Sequence, residues 1–163
     1  MSLSIKAFSD DIKNKFYQWC GENGLRDNLV RCQDSFQDFN ISAAEMDALN
    51  ATPKTLLAAP GSGLANVVTG VFTFVDAGAT AFELGSGTLG YLYTDGSGAA
   101  VATAVPNATV ESASDTYYWS QGSAVVPVVN AVIVAKASAD VTAGDGVIYG
   151  RIFYKTVKVS ELA

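Results

Sequence analysis

The sequence contains no histidine, and this absence narrows the chemistry available to its 163 residues. Histidine is the commonest general base, it completes the Ser-His-Asp and Cys-His triads, and it is a frequent zinc ligand. Its absence removes both triads, the commonest general base and most zinc sites. We therefore expect a protein that is not an enzyme and that needs no cofactor and no metal.

Charge is also scarce, and positive charge is confined to the two ends of the chain. Only 16% of the residues are charged, and the net charge is −6, whereas roughly a quarter are charged in a typical soluble domain. No lysine or arginine lies between Lys54 and Lys136. Nucleic-acid binding depends on cations that neutralise phosphates, so we expect no nucleic-acid partner.

Long apolar runs are missing as well. The longest, residues 124–135, is interrupted by Pro127 and Asn130 and is far shorter than the roughly 20 residues that span a bilayer. The first 15 residues contain Asp10 and Asp11 and lack the apolar stretch of a signal peptide. We expect a soluble protein without a membrane partner.

Cysteine is limited to Cys20 and Cys32. One disulfide between them is compatible with the sequence. Two free thiols, in a protein made in a reducing cytoplasm, are the alternative.

The residues that are abundant are small and β-branched, and they alternate with turn signals. Turns are indicated at Pro60-Gly-Ser-Gly63 and Asp95-Gly-Ser-Gly98, and Gly70 inside an apolar run indicates a bulge. Six to nine short strands with such turns predict a mainly β protein, an antiparallel β-sandwich or jelly-roll-like barrel. The strands are predicted at residues 55–59, 64–75, 80–84, 89–94, 99–105, 117–119, 125–135 and 147–159.

Two segments allow more than one interpretation. Ser42-Ala-Ala-Glu45 has the spacing of a helix capping box, but the flanking apolar residues also suit a strand, which we favour. Residues 107–115 are polar and suit either a loop or one helical turn.

The first 41 residues are predicted to form a partly helical arm, and residues 42–163 the β domain. Within the arm, Ser9 can cap a short helix whose apolar side carries Ile12, Phe16 and Trp19, and Phe8 lies just ahead of the cap. A helix of about three turns is marginal alone in water. We therefore predict that these four side chains bind a partner, either the β domain itself or a neighbouring subunit.

Other candidate sites have simpler explanations. An acid/base pair for glycoside cleavage would need two carboxylates at a defined spacing, and the spacing selects no such pair, so we favour ordinary surface carboxylates. A calcium loop would need six or more oxygen ligands, and a hairpin turn explains the same residues. The residues concerned are Glu83, Asp95, Glu111 and Asp115 for the pair, and Asp140 and Asp145 for the loop. Tyr117-Tyr118-Trp119 suits a sugar platform, a core or a subunit interface, and we favour the last two because neighbouring strand residues point to opposite faces.

Two segments resemble small virion proteins of tailed bacteriophages. Residues 49–63 (LNATPKTLLAAPGSG) resemble the opening strand and turn of such proteins, and residues 135–157 (AKASADVTAGDGVIYGRIFYKTV) resemble their end. The resemblance extends from about residue 49 to the C-terminus and does not include the first 40 residues.

The resemblance implies a head decoration (cement) protein. Such proteins are typically β-barrel or jelly-roll homotrimers that sit on the outer capsid surface and hold the shell where subunits of the major capsid protein meet. It implies a virion component made in the host cytoplasm, and it brings no catalytic residues with it.

Two other functions stay open. One is a phage tail-fibre or receptor-binding module that recognises a host glycan through Tyr91, Tyr93 and residues 117–119. The other is a carbohydrate-binding module of a secreted enzyme, against which the missing export signal counts.

Overall fold

A computed structural model describes residues 35–161 of the chain. They form eight strands, two short helices and a final 3₁₀ turn at Val159–Glu161. The strands are β1 (Ser35–Ser42), β2 (Lys54–Leu57), β3 (Leu64–Asp76), β4 (Leu89–Tyr93), β5 (Ala100–Val105), β6 (Thr116–Gln121), β7 (Ile133–Ala137) and β8 (Val147–Lys158), and the helices are α1 (Ala43–Ala48) and α2 (Asn107–Val110).

The strands build two antiparallel four-stranded sheets. Sheet I has the order β1-β8-β3-β6, and sheet II has the order β2-β7-β4-β5. Residues from both sheets share one apolar core, and the bridge between Ala102 and Gly122 links their neighbouring edges, β5 and β6. The predicted mainly β, sandwich-type fold is confirmed.

The longest pairing, between β3 and β8, sets the shape of sheet I. Its register shifts between Val68 and Gly70, so the predicted bulge at Gly70 is confirmed. On β8, Ile148 and Ile152 are fully buried, while Arg151 and Lys155 belong to the opposite set of alternating residues. The alternation predicted for this strand therefore places Arg151 and Lys155 on the outer face of sheet I.

Residues 43–48 form helix α1, so the strand that we favoured from Ser42 onwards is wrong beyond Ser42 itself, which ends β1. The Ser42 amide donates to Glu45 Oε2 at 2.8 Å, and the Glu45 amide donates to Ser42 Oγ at 3.4 Å, which completes a capping box. Met46 and Leu49 are fully buried, so the apolar residues that suggested a strand instead anchor one face of a short helix. One helical turn at Asn107–Val110 agrees with the second interpretation of residues 107–115.

Two predicted strands are absent or shorter. Residues 80–84 form no strand, because the Thr80 and Leu84 amides donate to the carboxylates of Asp145 and Glu111. Of residues 125–135, only the last few belong to a strand, since β7 begins at Ile133.

The predicted arm falls mostly outside the described residues. Phe8, Ile12, Phe16, Trp19, Cys20 and Cys32 all lie there, so their roles stay predictions. Sheet I begins at Ser35, ahead of the domain boundary predicted after residue 41. None of the helices within residues 35–161 has the length and apolar character needed to cross a bilayer.

Candidate functional site

The outer face of sheet I carries a cluster of aromatic side chains, which we call the aromatic face. Side chains alternate along a strand, so residues that pair in register share a face. Phe72 pairs with Trp119 on one side and with Arg151 on the other, and Phe74 pairs with Tyr117 and Tyr149. The aromatic face consists of Phe36, Phe72, Phe74, Tyr117, Trp119, Tyr149 and Phe153.

Ring contacts connect these side chains across the strands. The centroids of Trp119 and Phe153 are 5.8 Å apart, and Phe72 and Tyr117 are stacked at 6.3 Å. A Cβ at Gly70 would collide with the Trp119 indole. Glycine at this position therefore lets the indole lie across β3, towards Phe153 on the far strand.

Three members of the aromatic face are largely open to solvent. The exposed fractions are 74% for Tyr117, 53% for Trp119 and 46% for Phe36. Scattered exposed apolar residues are ordinary, whereas a contiguous patch of them marks an interaction surface. Tyr117 and Trp119 lie on one edge strand of sheet I and Phe36 on the other, and the half-buried rings of Phe72 and Phe153 lie between them. The aromatic face therefore extends across the whole sheet, and it is the candidate functional site.

Arg151 lies within the aromatic face but brings little net charge to it. Its Nε and Nη2 donate to the two carboxylate oxygens of Asp38 at 2.6 and 2.8 Å. Its guanidinium also lies 4.1 Å from the centroid of the Phe36 ring, which is a cation–π arrangement. Because Asp38 is the direct register partner of Arg151, the pair is neutralised locally.

The tyrosines on β4 are not part of any surface. Tyr91 and Tyr93 are 0% and 1% exposed, so the prediction that they contact a glycan is wrong. Their hydroxyls are satisfied internally: Tyr91 bonds Thr73 Oγ1 and Tyr93 donates to the Asn66 carbonyl, each at 2.6 Å. Burial raises the pKa of the Tyr91 phenol, and the Thr73 hydrogen bond opposes this only in part.

The three aromatic residues of β6 divide between the two faces. Tyr117 and Trp119 point outwards, while Tyr118 is partly buried against the core. The alternation expected from sequence is therefore confirmed.

The carboxylates singled out from sequence hold turns and loops. Asp145 Oδ1 accepts from the Ala79 and Thr80 amides at 2.9 and 2.7 Å, and Asp115 Oδ1 accepts from Ala77. Asp140 Oδ1 accepts from the Asn50 side chain. Hydrogen bonds from Ser97 lower the pKa of Asp95 in its hairpin turn. Among residues 35–161, no group of three or more carboxylates or cysteines could hold a metal ion.

Most of the aromatic face escaped the sequence analysis. Tyr117 and Trp119 were identified because they form a cluster in the sequence. Phe36, Phe72 and Phe153 were not, because strand pairing brings them together from distant parts of the chain. One signal for this face was present in the sequence. Phe72 and Phe74 are two residues apart on a predicted strand, so their side chains share a face.

No protein-family model matches this chain, and no curated protein matches it. Among solved structures, the chain is similar to a chain in the capsid of Ralstonia phage GP4. The TM-score is 0.44 at 16% sequence identity, over 75% of this chain and 83% of that one. At this TM-score and identity, the likeness does not assign a function.

Proposed function

We propose that this chain is a structural protein of a bacteriophage virion, and that it acts as a capsid decoration (cement) protein. In this role it binds the outer surface of the head, contacts the major capsid protein and stabilises the contacts between capsid subunits. It catalyses no reaction. The family resemblance of residues 49–63 and 135–157 supports the virion role.

The observation that carries the binding role is the exposure of Tyr117, Trp119 and Phe36 on one sheet face. Large aromatic side chains dominate the energetics of protein interfaces. Four strands about 4.8 Å apart make the aromatic face about 14 Å wide. A face of this width is large enough to form the centre of an interface that buries about 800 Å² per partner. Polar residues would surround it.

Attachment to the shell needs only a modest affinity at each contact, because the contact is repeated across the capsid lattice. A protein that engages several capsid subunits at once gains avidity without any stronger single contact. The homotrimer that the resemblance implies belongs to this same proposal, because three copies would present three aromatic faces to the shell.

Co-sedimentation with mature capsids stripped of this protein tests the proposal. We expect saturable binding of the wild-type chain at a stoichiometry set by the lattice. Trp119→Ala should weaken binding at least about 30-fold, as expected when an interface anchor is lost. Tyr118→Phe is the matched control, because Tyr118 lies on the same strand but faces inwards, and it should bind like the wild type.

Two results would contradict the proposal. The first is a folded wild-type protein that does not bind shells. The second is a Trp119→Ala variant that binds them normally. Binding to a glycan array, lost in Trp119→Ala, would instead favour the tail-fibre or receptor-binding function, since Tyr117 and Trp119 also present flat rings on which a sugar can stack.

A further inference from the structure

A second apolar surface lies between β6 and β7. No charged residue occurs between Asp115 and Lys136, and this stretch includes residues 124–129 (AVVPVV), which we call the valine loop. The exposed fractions are 86% for Val126, 45% for Val129 and 39% for Val128. The loop therefore shows solvent a run of apolar side chains that the aromatic face does not include.

The valine loop is fixed at both ends. On one side, the Ser123 amide donates to the Val101 carbonyl at 2.9 Å. On the other, the Asn130 amide donates to the Leu64 carbonyl at 2.8 Å, and Asn130 Oδ1 accepts from the Gly61 amide at 3.0 Å. These bonds tie the loop to β3, β5 and the turn before β3.

Between these anchors, a further contact holds the loop. The Val128 backbone hydrogen-bonds the Tyr93 hydroxyl, so the loop is also tied to β4. A contiguous run of exposed apolar side chains marks an interaction surface. The valine loop is such a run on a fixed backbone, which indicates that it contacts a partner.

The charge of the molecule indicates which partner. Identical copies with a net charge of −6 repel one another, so a contact between copies is favoured where the surface carries no charge. Where identical copies meet close to a symmetry axis, the same segment of each copy can come together, and the valine loop would place no like charges next to one another there. A lipid surface fits less well, because the stretch has no lysine or arginine to attract headgroups.

We propose that the valine loop is the surface through which copies of this chain associate with one another. The inference rests on the proposed function, because the homo-oligomer is part of that proposal. It assigns self-association to the valine loop and capsid attachment to the aromatic face. Each assignment can therefore be disproved without affecting the other.

Sedimentation equilibrium of the purified full chain, without capsids, tests this assignment. We expect the wild-type mass to rise with concentration to a defined multiple of 17.0 kDa. Val126→Asp should weaken association at least about 10-fold, because it buries a carboxylate at the contact. Ala113→Asp adds the same charge at an exposed site outside the loop and should associate like the wild type. Circular dichroism should show all three proteins folded.

The outcomes separate the two surfaces. A wild-type chain that stays monomeric over the whole concentration range, or a Val126→Asp variant that associates normally, overturns the assignment. So does a Trp119→Ala variant that becomes monomeric, because self-association would then use the aromatic face. Normal self-association together with no binding to capsids would support the valine loop while contradicting the proposed capsid role.

Discussion

Tyr91 places a phenol hydroxyl in the core, where Thr73 Oγ1 meets it at 2.6 Å. Thr73→Val would leave that hydroxyl buried without its partner. We expect a loss of about 1–3 kcal/mol in the free energy of unfolding, because an unsatisfied buried polar group loses its interaction with water. Urea unfolding measures this loss.

The matched double variant isolates the hydrogen bond. Thr73→Val combined with Tyr91→Phe removes both partners, so it should cost less than the sum of the two single changes. Strict additivity would mean that the two hydroxyls contribute independently.

Gly70 controls where the Trp119 ring lies. Gly70→Ala would place a Cβ against the indole, so the ring must move away from Phe153. In a Trp19→Phe background, where Trp119 is the remaining tryptophan, we expect an altered emission maximum and weaker capsid co-sedimentation. Unchanged emission would show that the indole does not depend on the open space above Gly70.

At the scale of the element, helix α1 depends on its capping box. Ser42→Ala should cost roughly 0.5–2 kcal/mol, as expected when an N-cap side chain is lost. Thermal unfolding of this variant beside the wild type measures the cost. A variant as stable as the wild type would show that packing of Met46 and Leu49 alone holds the helix.

The same helix makes stability depend on pH. The hydrogen bond from Lys54, at 2.5 Å, and that from the Ser42 amide lower the pKa of Glu45 from its ordinary value. A lowered carboxylate pKa contributes stability that is present above the unfolded-state value and is lost as pH falls through the folded-state value. The difference in unfolding free energy between the wild type and Glu45→Gln should therefore shrink between about pH 7 and pH 3. A constant difference would contradict this role.

Local sequence patterns predicted some strands well. They failed where residues distant in the sequence determine the local backbone structure. Alternation and glycine turns identified β3, β4, β5 and β8, because one face of each strand is buried and both signals lie within the segment. Residues 80–84 also alternate polar and apolar in part, but the Thr80 and Leu84 amides donate to the carboxylates of Asp145 and Glu111. No local pattern contains that information.

The candidate site, like the fold, was predictable only where its residues are close together in the sequence. Tyr117 and Trp119 stand together in the sequence, and their alternate spacing places them on one face. Arg151 and Asp38 are 113 residues apart, and only the pairing of β1 with β8 brings them together. The sequence identified the aromatic cluster of one strand, and register between strands extended it into a surface.

For the whole molecule, the proposed use of the valine loop predicts how salt affects self-association. Copies with a net charge of −6 repel at long range, while the proposed contact itself is uncharged. Salt shortens the distance over which charges act to about 10 Å at 0.1 M. Added salt should therefore weaken the repulsion and leave the contact intact.

We expect the association constant to rise between about 20 and 200 mM NaCl, as measured by sedimentation equilibrium at neutral pH. Ala113→Asp adds one negative charge per copy outside the loop, so it should show a steeper rise than the wild type. An association constant that falls with salt would mean that oppositely charged groups hold the copies together. Such a contact would lie away from the valine loop, because that loop and its neighbours carry no charge between Asp115 and Lys136.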